Sequence, residues 1–142
     1  MINNAITYRF NGSARKITTP INISMPNGKS LEFTAVWDTG ATSSIITTDV
    51  AKRLNLCSEG SIVVNGVTGS RSVDTYLVTF TLPNGFSKDV FTASCSEAIG
   101  CDVLIGMDII SIVDFAITRG SQGTTFSFKT PQGEEIDFST QP

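Results

Sequence analysis

A chain of 142 residues, 40% hydrophobic and 16% charged, is long enough for one domain with a proper core. Its net charge of −3 argues against nucleic acid or an anionic membrane as its main partner, and no run approaches the ~18 apolar residues of a membrane helix. It contains no histidine, no cysteine pair at zinc-ligand spacing and no Gly-Lys-Ser/Thr phosphate loop, so any hydrolytic chemistry falls to carboxylates, with no metal or other cofactor expected.

Residues 1–10 are polar and lack the apolar stretch of a signal peptide, and an odd count of cysteines (Cys57, Cys95 and Cys101) suits a reducing compartment. The expected location is therefore cytoplasmic. Whether Cys95 and Cys101 pair stays open. Residues 1–15 read as an N-terminal arm, either flexible or a first edge strand, ahead of a single domain over 16–142. From Lys16 the pattern becomes β. Ile17, Ile21, Ile23 and Met25 share one parity, Pro26-Asn27-Gly28 makes a turn, and 30–37 returns with Leu31, Phe33, Ala35 and Trp37 on one face.

That strand delivers Asp38 to the turn Thr39-Gly40. A carboxylate at the end of a core strand is costly to bury ionised and alone, so it calls for donors, solvent or a second acid. A short strand follows over 43–47. Thr47 or Thr48 then caps a helix with Asp49 in its first turn and Val50, Ala51 and Leu54 on its apolar face. Ser43 and Ser44 read as surface or turn groups.

A strand over 61–65 meets Gly66-Val67-Thr68-Gly69-Ser70, a mobile hairpin tip by composition. The return strand is long, with Tyr76, Val78, Phe80 and Leu82 on one face. A second Pro-Asn-Gly turn at 83–85 leads into a strand over 86–93. Val103-Leu104-Ile105-Gly106 forms a buried strand ending in Gly, and Asp108 reads as the cap of a short helix bearing Ile109, Ile110, Ile112 and Val113. Asp102, Asp108 and Asp114 are assigned to caps and turns, and Arg71 to the surface. The chain closes with a predicted hairpin, 124–129 against 134–139 around Pro131-Gln132-Gly133, turning Phe126, Phe128, Ile136 and Phe138 inward. The fold class is all-β with one or two short helices.

Asp-Thr-Gly-Ala after an apolar strand, the Gly-rich hairpin at 65–70, and Asp102-Val103-Leu104-Ile105-Gly106-Met107-Asp108 together resemble the retropepsin-like aspartic proteases, the bacterial and cellular members more than the viral ones. The resemblance covers roughly 16–130. It implies a closed or partly open β-barrel of the retropepsin type with a homodimeric active site. It makes Asp38 the catalytic carboxylate, and Thr39, Gly40 and Ala41 the active-site loop that braces the dimer. Gly66, Val67, Thr68 and Gly69 become a flap over the substrate, and Val103, Leu104, Ile105 and Gly106 a support behind the loop. The implied partners are a second copy and a polypeptide substrate, with no nucleic acid and no membrane.

Two departures stand out. Thr42 occupies the place of an acid in the viral pattern, and Met107 the place of an arginine, so the charged contact those residues make is missing. Apolar pocket walls are expected from Val36, Val67 and Ile105. The implied reaction is endopeptidase cleavage, with water activated between two Asp38 carboxylates. The alternative is a non-catalytic dimerisation or peptide-binding module that keeps the fold. A third reading, a small-ligand barrel, accounts for the hairpins and leaves Asp38 unexplained.

Overall fold

Strict alternation builds the first hairpin. In the computed structural model, which describes residues 4–26, 28–95 and 100–141 and of Cys95 the backbone alone, β2 (Thr18–Ser24) pairs antiparallel with β3 (Ser30–Trp37). Ile21, Ile23, Phe33 and Ala35 point inward at 3% exposure or less, as period-2 side chains of one buried face must. The turn between them is closed by Met25 N–H to Lys29 O and Gly28 N–H to Met25 O; Asn27 of the expected Pro-Asn-Gly turn lies outside the described residues.

The barrel closes around these strands. Its other members are β4 (Ile45–Thr47), β6 (Gly69–Thr81), β7 (Ser87–Cys95) and β8 (Val103–Ile105). The order β2-β3-β8-β4-β7-β6 returns to β2 through Asn22↔Thr81, Ile23↔Phe80 and Ser24↔Thr79. Full closure leaves these strands no open edge. Two of the pairings, β3 with β8 and β4 with β7, are parallel. Between β4 and the next strand runs α1 (Thr48–Arg53), capped by Thr47, whose hydroxyl accepts the Val50 N–H at 3.3 Å. Val50, Ala51 and Leu54 seal its inner face.

Among the described residues, β5 (Gly60–Gly66) pairs only with β6. The β6–β7 ladder begins at Thr75↔Ala93, so 60–74 form a two-stranded ribbon beyond the barrel, and every residue of β5 is exposed.

A second sheet packs against the barrel. β1 (Asn4–Arg9), β9 (Asp114–Gly120) and β10 (Gly123–Thr130) form a three-stranded antiparallel sheet in the order β1-β10-β9. Residues 4–9 are thus an edge strand paired along its own length with residues 125–130 of β10, not a loose arm. Trp37 ties the sheets together. Its indole packs tilted against Phe126 and Phe128, with centroids 5.0 and 5.1 Å away, and its N–H donates to the buried Thr19 hydroxyl at 2.9 Å.

The predicted C-terminal hairpin does not form. β10 turns back upstream onto β9, which sequence patterning had not placed, and residues 131–137 carry no strand. Ile136 and Phe138 are 52% and 69% exposed instead of inward, with Phe138 opening a single 3-10 turn, Phe138–Thr140. Asp114 holds this tail in place. Its carboxylate accepts the Glu134 N–H at 2.6 Å and the Gly133 N–H at 2.8 Å, and Lys129 Nζ lies 3.5 Å away. Of the helices, α1 is joined by α2 (Met107–Ile110), a single turn. No helix among the described residues is long and apolar enough to cross a membrane. The Cys95–Cys101 question lies outside the described residues.

Phe126→Ala should lower the unfolding free energy by about 3–5 kcal/mol, read from urea transitions at fixed protein concentration. A loss below about 1 kcal/mol would show that the two sheets do not share a core through Trp37. The tail latch makes a second, pH-dependent expectation. The Glu134 N–H, then the Gly133 N–H and Lys129, hold the Asp114 carboxyl below the usual carboxylate range. A carboxyl depressed by folding stabilises above its unfolded pKa and ceases to as the pH falls through its folded one. The stability difference between parent and Asp114→Asn should therefore be present at neutral pH and shrink below about pH 4; a difference constant from neutral to acid would exclude the carboxylate as the latch.

Candidate active site

The loop carrying Asp38 is shaped by what lies against it. β3 and β8 run parallel in the register Val36↔Leu104 and Trp37↔Ile105, and the ladder continues with Asp38 N–H donating to Ile105 O at 2.9 Å. The chain then tightens. Ala41 N–H donates to Asp38 O at 3.2 Å, and the Gly40 N–H donates to Asp38 Oδ1 at 2.8 Å. A Cβ on Gly40 would sit 3.1 Å from that same oxygen, so glycine leaves the carboxylate room. Asp38 is half-buried, Thr39 and Gly40 are exposed, and Ala41 is half-buried. An acid at a strand end, with one oxygen bonded and a face open to solvent, can hold a water or approach a second acid.

Gly106 meets the loop from below. A Cβ there would come within 2.7 Å of Ser43 C and 2.8 Å of Ala41 O and Ser43 O. These are backbone atoms without rotamers to give way. At φ −101° the residue needs no special dihedral, so the requirement is close approach alone. The next residue, Met107, donates its N–H to Ala41 O at 2.7 Å. Val103 and Ile105 are wholly buried and Leu104 half-buried. Ile105 at 0% exposure is a core residue, which corrects its expected place in a pocket wall; Val36 is half-buried and Val67 fully exposed.

Three residues were misread from sequence. Ser44, expected on the surface, is 1% exposed, and its hydroxyl accepts the Gly106 N–H at 3.0 Å while donating to Asp108 Oδ1 at 2.7 Å. Asp108, expected to cap α2, is not the cap residue; Gly106 holds that position without a side chain. The Asp108 carboxylate instead accepts from Ser44 N–H at 3.0 Å and from Ile109 N–H at 3.0 Å. Strand parity carried a signal for Ser44, because it shares the inward face with the buried Ile46. Asp102, also expected to serve a local cap or turn, reaches across to β3 instead: its carboxylate accepts the Thr34 N–H at 3.1 Å, and its own N–H donates to Thr34 O at 3.1 Å. Thr42 and Met107 are both exposed.

Gly66, Val67, Thr68 and Gly69 stand on a separate hairpin. Gly66 pairs with Gly69 across the two-residue tip Val67-Thr68, and Ser70 Oγ donates to Asn65 Oδ1 at 2.5 Å. Gly69 takes φ +125°, a conformation that L side chains rarely adopt. At the base, Glu59 N–H donates to Thr75 O at 2.8 Å and Ser58 Oγ donates to Gly60 O at 2.7 Å. A ribbon fastened at its base and exposed along β5, with few buried contacts, belongs to the low-stability end of a fold.

Comparison with known proteins places this geometry. A family model described as "Aspartyl protease" matches residues 19–109. Among solved structures, the chain is similar to a retropepsin-like aspartic protease from Rickettsia conorii at 14% identity and a TM-score of 0.60, covering 90% of this chain and 92% of that one. It is also similar to the EIAV protease in complex with an inhibitor, at 22% identity and a TM-score of 0.49 over 68% of this chain and 86% of that one. The simian foamy virus (mac) protease aligns at 14% identity and a TM-score of 0.47, over 66% and 92% of the two chains. No curated protein sequence matches the chain.

Gly106→Ala should cost about 1–3 kcal/mol of stability, because two backbone segments must part, and should speed amide exchange at Ala41 and Met107. Parent-like stability with unchanged exchange at both amides would mean that the loop is not supported there.

Proposed function

The chain belongs to the aspartyl protease family and has a retropepsin-like fold; from that premise we propose that it is a homodimeric endopeptidase acting on extended polypeptide segments. The observation that carries this reading is the Asp38 loop itself. It offers one carboxylate, half-buried and open on one face, in a backbone gripped by Ile105, Gly106 and Met107. The sequence contains a single Asp-Thr-Gly, and water activation between acids needs two. A two-fold axis beside the loop supplies the second from an identical chain.

In that dimer the two Asp38 carboxylates lie close enough that both cannot ionise freely, so the pair holds one shared proton and titrates as a unit. The ionised acid takes a proton from a bound water as the water attacks the scissile carbonyl. The protonated acid donates to the carbonyl oxygen. Collapse of the tetrahedral species expels the amine, which takes up a proton, and no covalent intermediate forms. Thr39, exposed on the loop, reaches to the partner loop, and Gly40 and Ala41 let the two backbones approach. Val103, Leu104, Ile105 and Gly106 support the loop from within the core.

The ribbon tip at Gly66, Val67, Thr68 and Gly69 closes on the substrate as a flap, adding backbone hydrogen bonds to an extended peptide. Its exposed apolar Val67, with Val36, favours apolar side chains near the cleaved bond. The catalytic unit takes in β1 as well as 16–142, since β1 is paired with β10. A reducing, cytoplasmic setting suits the three cysteines.

The test is cleavage of a diverse peptide library across about pH 4–7, with Asp38→Asn, shown to be folded and equally dimeric, run alongside. Cleavage by the parent and none by the variant is expected. A dimeric parent that cleaves nothing would transfer the weight to the non-catalytic binding module, and a parent that sediments as a monomer while cleaving would overturn the two-chain site.

A further inference from the structure

The geometry points to Ser44 and Asp108 as positioning residues that set where the Asp38 carboxylate sits, a role that rests on the proposed protease reading but acts through the loop rather than on the substrate. Ser44 is the exit of the segment that begins at Asp38. The entry is held by Asp38 N–H on Ile105 O and the middle by Met107 N–H on Ala41 O. At the exit, Ser44 has its N–H on Asp108, its hydroxyl between Gly106 and Asp108, and its carbonyl accepting the Thr92 hydroxyl at 3.0 Å. Its backbone N–H and C=O and its side-chain oxygen all have protein partners, and the residue is 1% exposed.

The hydroxyl is directional. Because Gly106 N–H donates to Oγ, the hydroxyl proton is left to Asp108 Oδ1 at 2.7 Å, the shortest contact in the cluster. Asp108 also takes Ile109 N–H, so the first turn of α2 and the loop exit share one acceptor. A charged acceptor gives short, strong hydrogen bonds, and this one lies on the strand-to-helix junction that packs under Ala41 and Ser43. Thr42 and Met107, which the family resemblance would make a charged pair, are uncharged and exposed. The charge that fastens loop to helix is therefore carried one residue beyond Met107, by Asp108, and its grip is on Ser44. In a two-fold site a shift of one loop is repeated by its copy, so the separation of the two acids changes by twice the displacement of each. Small errors in one clamp are thereby doubled at the chemistry.

The experiment compares parent, Ser44→Ala, Asp108→Ala and Asp108→Asn as intact dimers, with peptide kinetics and amide exchange measured on the same samples. Ser44→Ala and Asp108→Ala should each lower kcat by about 10–100-fold with KM little changed, and their combination should be no worse than either alone because one unit has been broken. Asp108→Asn retains an oxygen facing the Ser44 hydroxyl and should recover most of kcat. Exchange should quicken at Gly40 and Ala41 in the two alanine variants while Ile23 in the barrel stays as in the parent. Parent-like kcat in Ser44→Ala, or exchange accelerated equally at Ile23, would overturn the role, the latter by showing a general loss of stability. If the parent cleaves no peptide, the protease reading fails on its own, and the exchange pattern alone decides the clamp: unchanged Gly40 and Ala41 refute it, selective acceleration upholds it.

Discussion

The parallel pairing of β3 with β8 is the constraint on which the rest of the site depends. It brings together two segments remote in sequence, and their register, Trp37 opposite Ile105, determines what lies under the residue after Trp37. Had the register slipped by one, every side chain of β3 would change face and Asp38 would move off the open side. In the observed register Gly106 falls where Ala41 and Ser43 pass within van der Waals contact of any Cβ. The residue that contributes nothing to the reaction thus sets the shape of the loop that carries the acid.

Rigidity is distributed unevenly, and the distribution suits a hydrolase. The strand bearing Asp38 is braced from two sides: its inward residues sit in the barrel core, while Trp37 at its end packs on Phe126 and Phe128 of the second sheet. Sites are held best by elements whose own packing leaves them one arrangement. The β5–β6 ribbon is the reverse, exposed along β5 and fastened at its base by residues 58, 59 and 75. Such a ribbon has the freedom that the proposed flap requires. The C-terminal tail is a third case, strandless yet fastened by Asp114 to the rim of the second sheet.

The loop is fastened without the charged contact that the viral sequence pattern implies. Thr42 and Met107 leave the loop edge uncharged, and the polar work moves inward to Ser44 and Asp108. A buried hydroxyl that both accepts and donates is costly to leave half satisfied, so this cluster ties the loop's conformation to the integrity of α2 through a handful of bonds. Exposed side chains around the Asp38 loop are left available for the proposed contact with a second chain.

Much of this was readable from residues alone. The barrel hairpins were legible because alternation is a local property: Ile21 and Ile23, Phe33 and Ala35, Val78 and Phe80 announce a buried face whatever strand lies next to them. Thr47 announced α1 because a cap acts within three residues. Asp-Thr-Gly and the distant Leu-Ile-Gly announced the family. What was not legible shares one trait. β9 escaped notice because an exposed edge strand lacks one-sided alternation, and Ile136 and Phe138 were placed inward because alternation names a face without naming a partner. Ser44 looked like surface because its surroundings, Gly106, Asp108 and Thr92, come from remote parts of the chain. The sequence by itself determined the strands of the barrel and the cap of α1, both consequences of near neighbours and backbone preference. Only the tertiary structure decided which strands pair, which serine is buried and what holds the acid in place, because those are settled by contacts between segments that meet only when the barrel closes.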